Sequence, residues 1–205
     1  HGEALIREKL QNLEQFLNLN DDSLDPLVKM AVAHYQFEAI HPFGDGNGRT
    51  GRIVNILYLV QQGLLSQPIL YMSRFILDNR QDYYRLLREV TEHGNWQSWI
   101  IYMIKAVAET SHMTQRKIED IHEAMDSFAA FMKKELPGMY SRELVDVLFH
   151  HPYSKRQFLE QAGIAKAKTA GGYLSALEDK GVLKSIQLGR EKLYLNLEFL
   201  EILKR

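Results

Sequence analysis

"HPFGDGNGRTGR", residues 41–52, concentrates four glycines, two arginines, a histidine, an aspartate and an asparagine in twelve positions. Its surroundings read as helical. Upstream, Asp25 and Pro26 make a good N-cap and first helical position, and the helix they open is predicted to run to about Ala39. Downstream, a helix is predicted from Asn47 or Gly48, with Ile53, Ile56, Leu57 and Val60 as its apolar face and Gly63 as its stop. The stretch is therefore a glycine-rich turn that delivers backbone N–H groups to a helix N-terminus. Those unbonded donors, with the positive end of the helix dipole, favour an anion. Glycine has no Cβ, so a phosphate can come close to the backbone. Arg49 and Arg52 are three apart, share one helical face, and carry guanidinium forks that suit phosphate oxygens. The glycine spacing and the helix in front, where a strand would be needed, exclude a Walker loop or a Rossmann turn.

Two further residues add reactivity to this phosphate cradle. A histidine can act as a base near neutral pH, which makes His41 the candidate proton acceptor. Asp45 is a hard oxygen ligand beside a polyphosphate, the usual place for a magnesium ion. Phosphoryl or nucleotidyl transfer asks for little more than a base, a metal and donors around the developing charge.

Further out, the chain predicts helices almost continuously up to about residue 135. Ile6, Leu10, Leu13 and Leu17 recur at helical spacing and are closed by "NLNDD" at 18–22. After a connection around Pro68, "NRQDYYRLLREV" resumes the pattern through Tyr84, Leu87 and Val90. From Trp96 to Lys134 there is neither glycine nor proline, so one long helix or two abutting ones are expected, with Trp96 and Trp99 in the core. "KKELPGMYS" at 133–141 is the best boundary. Beyond it lie two short helical segments, "AGIAKAKTAGGYLSALEDKG", and the alternating "VLKSIQLGREKLYLN" with a turn at Gly189. That order is a winged helix-turn-helix, which the run "TAGGYLSALEDKGVL" also resembles.

Composition sets the limits. The 205 residues are 45% hydrophobic and 10% aromatic, which suits an ordinary globular core and argues against disorder. A net charge of −1 carries no signature for nucleic acid or an anionic membrane. The absence of cysteine excludes disulfides and thiolate chemistry and points to a reducing compartment, so a cytoplasmic location is expected. No apolar run approaches the roughly 18 residues of a membrane span.

The opening stretch resembles the signature of the Fic family, His-Pro-Phe-x-Asp/Glu-Gly-Asn-Gly-Arg-x-x-Arg, with every specified position present. Its flanks, "LVKMAVAHYQFEAI" and "PILYMSRFILDNRQDYYRLLREV", resemble Fic-core helices, and the similarity covers roughly residues 1–112. The resemblance implies a mainly α protein, a Fic-type helical core (1–112) followed through a connecting helix (113–137) by a small winged-helix domain (138–205). It implies a protein adenylyltransferase that moves AMP from ATP, with Mg²⁺, to a Ser, Thr or Tyr hydroxyl of a target protein. His41 would deprotonate that hydroxyl, and Asp45 would hold Mg²⁺ against the α- and β-phosphates. Gly46, Asn47 and Gly48 would form the anion nest, Asn47 also offering its side-chain amide. Arg49 would contact the phosphate chain and the leaving pyrophosphate, and Arg52 the γ-phosphate. Phe43 would anchor the loop in the core. Tyr84 falls where the family lines its adenine pocket, with Tyr83 a weaker candidate. Gly46 and Gly48 stand where a phosphorylating subgroup carries alanine and lysine, which favours AMP transfer; removal of AMP by the same site stays open.

The family's inhibitory Ser/Thr-x-x-x-Glu-Gly/Asn motif is not found, since no Glu-Gly or Glu-Asn occurs in these residues. The chain opens at His1 straight into a helical pattern, so an N-terminal region carrying that helix and the target-docking flap is expected to precede it. The competing reading is a nucleotide-sensing adaptor or transcriptional regulator acting through the winged helix. Residues 141–205 hold eleven Lys and Arg against eight acidic residues, a mild bias. The third helix of that domain would present Ala170, Gly171 and Gly172 where a DNA reader offers Arg, Asn or Gln. A protein partner or a homodimer therefore ranks above DNA, and no membrane partner is expected. His34 reads as a packed or surface histidine, and His150 and His151 as a helix end.

Overall fold

The computed structural model describes residues 2–19 and 23–205. The predicted helix stop at "NLNDD" falls largely on residues 20–22, outside the described residues. The chain divides into two compact units, residues 1–114 and 115–205.

The first unit is built from α1 (Glu3–Asn18), α2 (Pro26–Ile40), α3 (Asn47–Gln61), α4 (Met72–Asp78), α5 (Arg80–His93) and the first half of α6 (Trp96–Glu135). Asp25 caps α2 as its sequence suggests, its side chain accepting from Leu27 N–H at 2.8 Å with Pro26 at the first helical position. Met30, Leu59, Met72, Trp99 and Met103 are sealed in one apolar cluster. Burying each of these large side chains is worth about 2 kcal/mol, which is what holds α2 through α6 together. A smaller cluster of Leu13, Phe37 and Ile40, with Ile6, Leu10 and Leu17 against it, seats α1 on α2.

Two inward faces differ from those the sequence predicts. On α3 the buried residues are Asn47, Gly51, Asn55, Tyr58 and Leu59, whereas Ile53 and Leu57 are more than half exposed. The reason is close packing: the bare backbone at Gly51 and the amide of Asn55 meet the buried His34 of α2, a polar contact that apolar periodicity does not register. On α5 the buried set is Tyr83, Leu86 and Val90, one position from the predicted Tyr84 face at its first two members. Of the two tryptophans, Trp99 is fully buried and Trp96 is about one-third exposed.

From Trp96 to Glu135 the chain is a single helix of 40 residues. Its second half belongs to the second unit and is not a bare connector: Ala124, Phe128 and Met132 share a core with Leu144, Leu159, Leu174 and Phe199. After a short 3-10 turn at Pro137–Met139 come α7 (Arg142–His150), β1 (Tyr153–Ser154), α8 (Arg156–Gln161), α9 (Ala167–Asp179), β2 (Leu183–Leu188), β3 (Glu191–Asn196) and α10 (Leu197–Lys204). Ser141 and Asn196 cap α7 and α10 by accepting from Leu144 and Phe199 N–H. The sheet is antiparallel in the order β1-β3-β2, and β2 pairs with β3 around Gly189, whose φ of 61° makes the tight turn. On α9, Ala170 is fully buried, contrary to its expected place on the outer face; Lys168, Thr169 and Gly172 are exposed there. The fold is thus mainly α, with a small three-stranded antiparallel sheet near the C-terminus. Among the described residues no helix is long and apolar enough to cross a membrane.

Candidate active site

The site lies in the first unit, where α2 ends and α3 begins. Pro42 disfavours helical continuation at the residue before it. His41 takes a left-handed conformation (φ 50°, ψ 58°) and closes α2 by donating its N–H to Phe37 O at 3.1 Å. Among the described residues it is the sole non-glycine with positive φ. That backbone costs about 1–3 kcal/mol and turns the side chain out of the helix, the kind of strain that gathers at functional positions.

The loop is pinned by Asn47. Its Oδ1 accepts from Phe43 N–H at 2.9 Å, and its Nδ2 donates to Phe43 O at 2.6 Å. The Asn47 side chain is buried, so its amide staples the loop to itself. Phe43 is 48% exposed, so its ring is not sealed in the core as expected, but it packs against the buried Phe37 at 6.4 Å between ring centroids while its backbone is held by Asn47. Gly46 (φ 87°) turns the chain into α3, and no side chain among the described residues caps that N-terminus. The first amides of α3 therefore face the cavity with their donors and the helix dipole unopposed.

A cavity of about 420 Å³ gathers His41, Asp45, Gly46, Gly48, Arg49 and Arg52 from this turn. Its volume suits a nucleotide-sized ligand. Across it stand Tyr84, Tyr83 and Arg80 of α5, with Glu38 of α2. Every residue predicted for the site thus lines one cavity. Tyr84 is 53% exposed and has the Arg80 guanidinium 5.5 Å from its ring centroid. The weaker candidate, Tyr83, is buried behind it, its hydroxyl 2.9 Å from His34 Nε2.

The cations are oriented differently. Arg49 Nη2 donates to Asp45 Oδ2 at 3.0 Å, an exposed pair whose partners can part cheaply. Arg52 Nε donates to Ser73 Oγ of α4 at 2.8 Å, which fixes its plane. Behind them, His34 is sealed between Asn55, Tyr83 and the stacked ring of Trp99. Burial, aided by the charge of Arg52, lowers its pKa from 6.5 to about 4, so it is neutral at physiological pH. Burial likewise pushes Glu38 above the usual carboxylate range, against the pull of Arg52 and His41.

For a metal, the protein offers a single carboxylate at the loop, Asp45, and no cluster of three or more His, Cys, Asp or Glu is found among the described residues. One exposed carboxylate fits Mg²⁺, which is commonly held by one or two carboxylates together with substrate phosphates and water.

Sequence reasoning did not single out Glu38, Ser73, Arg80 or Gly51. Glu38 had a weak signal in being an acidic residue in the last turn of α2, next to the glycine-rich turn. Gly51 had one in being a glycine inside a helix, which marks close approach. Ser73 and Arg80 had none, since only the packing of α4 and α5 brings them in.

Residues 3–59 match the model of the Fic/DOC family. Residues 124–199 match that described as the C-terminal domain of SoFic-like protein adenylyltransferases. The first unit is therefore similar to the Fic/DOC family over residues 3–59. Within the second unit, the stretch 124–199 is similar to the SoFic-like C-terminal domain. Similar proteins include the protein adenylyltransferase fic-1 of Caenorhabditis elegans, 32% identical over 103 residues that make up 49% of this chain and 18% of that protein. A probable protein adenylyltransferase of Aquifex aeolicus is 41% identical over 73 residues, 36% of this chain and 20% of that protein. A crystal structure of a Fic family protein from Desulfovibrio desulfuricans G20 aligns over 95% of this chain and 56% of that one, with a TM-score of 0.49 and 22% identity. The matched stretch spans about a fifth of the length of the two relatives.

Proposed function

We propose that this protein is an adenylyltransferase that moves AMP from ATP to a Ser, Thr or Tyr hydroxyl of a target protein. One observation carries the reading: a left-handed histidine and an uncapped helix N-terminus face the same nucleotide-sized cavity. His41 takes the proton from the hydroxyl, whose oxygen attacks the α-phosphorus. The bond from that phosphorus to the bridging oxygen of pyrophosphate breaks, and pyrophosphate leaves with its electrons. The amides of Gly46, Asn47 and Gly48, with Arg49 and Arg52, neutralise the charge that develops there. Asp45 would hold Mg²⁺, which when bound offsets charge on the α- and β-phosphates. For Asp45 to do so, Arg49 turns from it towards the phosphates, a small cost for an exposed pair. Tyr84 offers a ring for the adenine, with Arg80 beside it.

Gly48 bears on the choice of nucleotidyl over phosphoryl transfer. A Cβ at this position would stand 3.1 Å from Arg52 Nη1, so a longer side chain would displace the guanidinium. Glycine keeps Arg52 where a triphosphate's end would lie.

We read the second unit as a winged helix-turn-helix, from the order α8, α9 and the β2–β3 hairpin. The exposed positions at the N-cap and start of α9 are Lys166, Ala167, Lys168, Thr169 and Gly172, none of them Arg, Asn or Gln, so a protein partner or second copy remains preferred over DNA.

The test is label transfer. The protein carried in its full-length form is incubated with α-³²P-ATP, Mg²⁺ and lysate, and labelled proteins are identified by mass spectrometry. Label on a hydroxyl side chain, lost in His41→Ala, is the expected result. No transfer to any protein, itself included, would sink the proposal.

A further inference from the structure

One carboxylate oxygen beside the cavity has no hydrogen-bond partner. Glu38 lines the same space as His41, and its side chain is 13% exposed. Its Oε1 is closed to solvent and accepts no hydrogen bond. That oxygen lies 3.0 Å from the point where a Cβ on Gly51 would stand, and 3.7 Å from the corresponding point on Gly48. Arg52 Nη1 is 3.1 Å from the Gly48 point. Carboxylate and guanidinium thus flank one small space that glycine leaves open, while Ser73 holds Arg52 from the other side.

We propose that Glu38 takes up a proton from solvent when a polyphosphate binds in this cavity, so that nucleotide affinity falls as pH rises. The inference rests on the phosphate-binding reading of the site.

The charges around Glu38 lead to this. His34, on the same helix, places Nε2 4.0 Å from Oε1, but burial keeps it neutral and it supplies no counter-charge. From α5, Tyr83 faces Glu38 and its phenol is held neutral by burial. Arg80 and Arg49 line the cavity further out. That leaves Arg52 and, when protonated, His41 as the charges that favour the carboxylate, and burial already outweighs them. An incoming phosphate occupies Arg52 and sets a second anion against Glu38. Both changes favour the neutral acid, and an unbonded oxygen closed to water has no other relief. By linkage, one proton taken up with the ligand makes affinity fall by up to about tenfold per pH unit between the free and bound pKa values.

The experiment is calorimetry of ADP binding to the full chain without metal, in Tris and in PIPES, whose ionisation enthalpies differ. The difference in observed heat gives protons taken up per ADP. The same titration is run on Glu38→Gln and His41→Asn, so that protonation of ADP itself cancels between arms. Wild-type uptake that peaks near one proton, is lost in Glu38→Gln and persists in His41→Asn supports the proposal. ADP binding with no proton uptake by the wild type at any pH overturns it, however the variants fold. Uptake that survives in Glu38→Gln and vanishes in His41→Asn also overturns it, by assigning the proton to the histidine. Absence of ADP binding overturns the phosphate-binding reading and this inference with it.

Discussion

Asn47 and Phe43 hold each other by two hydrogen bonds, amide to carbonyl at 2.6 Å and carbonyl to amide at 2.9 Å, so one buried side chain closes the loop that carries the site. Asn47→Ala leaves both Phe43 backbone groups without a partner. A loss of about 2 kcal/mol in unfolding free energy is expected, with nucleotide binding weakened as the α3 amides lose their setting. Urea unfolding and nucleotide titration of the same variant check this. Unchanged stability would show that the loop is held elsewhere.

His41 is expected to act in chemistry and not in binding. His41→Ala should abolish AMP transfer while ATP affinity stays within about threefold of wild type, since binding rests on the amides and arginines. The substitution also keeps a non-glycine at φ 50°, so the backbone cost is unchanged. Loss of ATP binding by calorimetry would make the histidine structural.

Asp45 is the loop's single carboxylate for a cation. Asp45→Ala should reduce the Mg²⁺-dependent part of ATP affinity and leave metal-free ADP binding equal or tighter, because Arg49 is freed from its 3.0 Å partner. A Mg²⁺ titration of nucleotide affinity in both proteins decides; an identical metal dependence contradicts the assignment.

Gly51 and Gly172 form a matched pair for testing helix packing. A Cβ at Gly51 would meet Glu38 Oε1 at 3.0 Å and His34 Cε1 at 3.1 Å, whereas Gly172 has nothing within 4 Å. Alanine gains up to about 1 kcal/mol over glycine in a helix. Gly172→Ala should show that gain. At Gly51 the gain is opposed by overpacking of about 1–3 kcal/mol, because His34 is wedged against Trp99 and cannot yield. Gly51→Ala should therefore destabilise, and equal stabilisation at both positions would refute the close approach of α3 to α2.

The buried His34 makes the first unit sensitive to acid. Its pKa is 6.5 unfolded and about 4 folded, so the folded state binds fewer protons in that window. The associated stability is present above pH 6.5 and lost as pH falls towards 4, about 3 kcal/mol in all. Glu38 acts with the opposite sign, since its raised pKa favours the folded state at low pH and disfavours it as pH rises through the folded value. Unfolding free energy measured against pH in a Glu38→Gln background removes that opposing contribution. A flat profile between pH 6.5 and 4 would count against a buried neutral imidazole.

Several elements were legible because they are local. The cap at Asp25 and Pro26, the turn at Gly189 and the glycine-rich entry to α3 depend on residues within a few positions of one another. For the same reason His41, Asp45, Gly46, Gly48, Arg49 and Arg52 could be proposed together: one contiguous turn holds them. The inward face of α3 was misread because its neighbour is polar. Hydrophobic spacing points to Ile53 and Leu57, but His34 demands an amide and a bare backbone, which Asn55 and Gly51 supply.

By itself, then, the sequence determined the glycine-rich turn, since backbone conformation at Pro42 and Gly46 follows from those residues' own sterics. The tertiary structure alone decided what stands across from that turn. Ser73 reaches Arg52 over 21 positions, Tyr83 reaches His34 over 49, and Glu38 comes to lie beside Arg52 only because Gly51 lets two helices close. Such contacts depend on how α2, α3, α4 and α5 bury their shared core, and no local pattern in the chain encodes that packing.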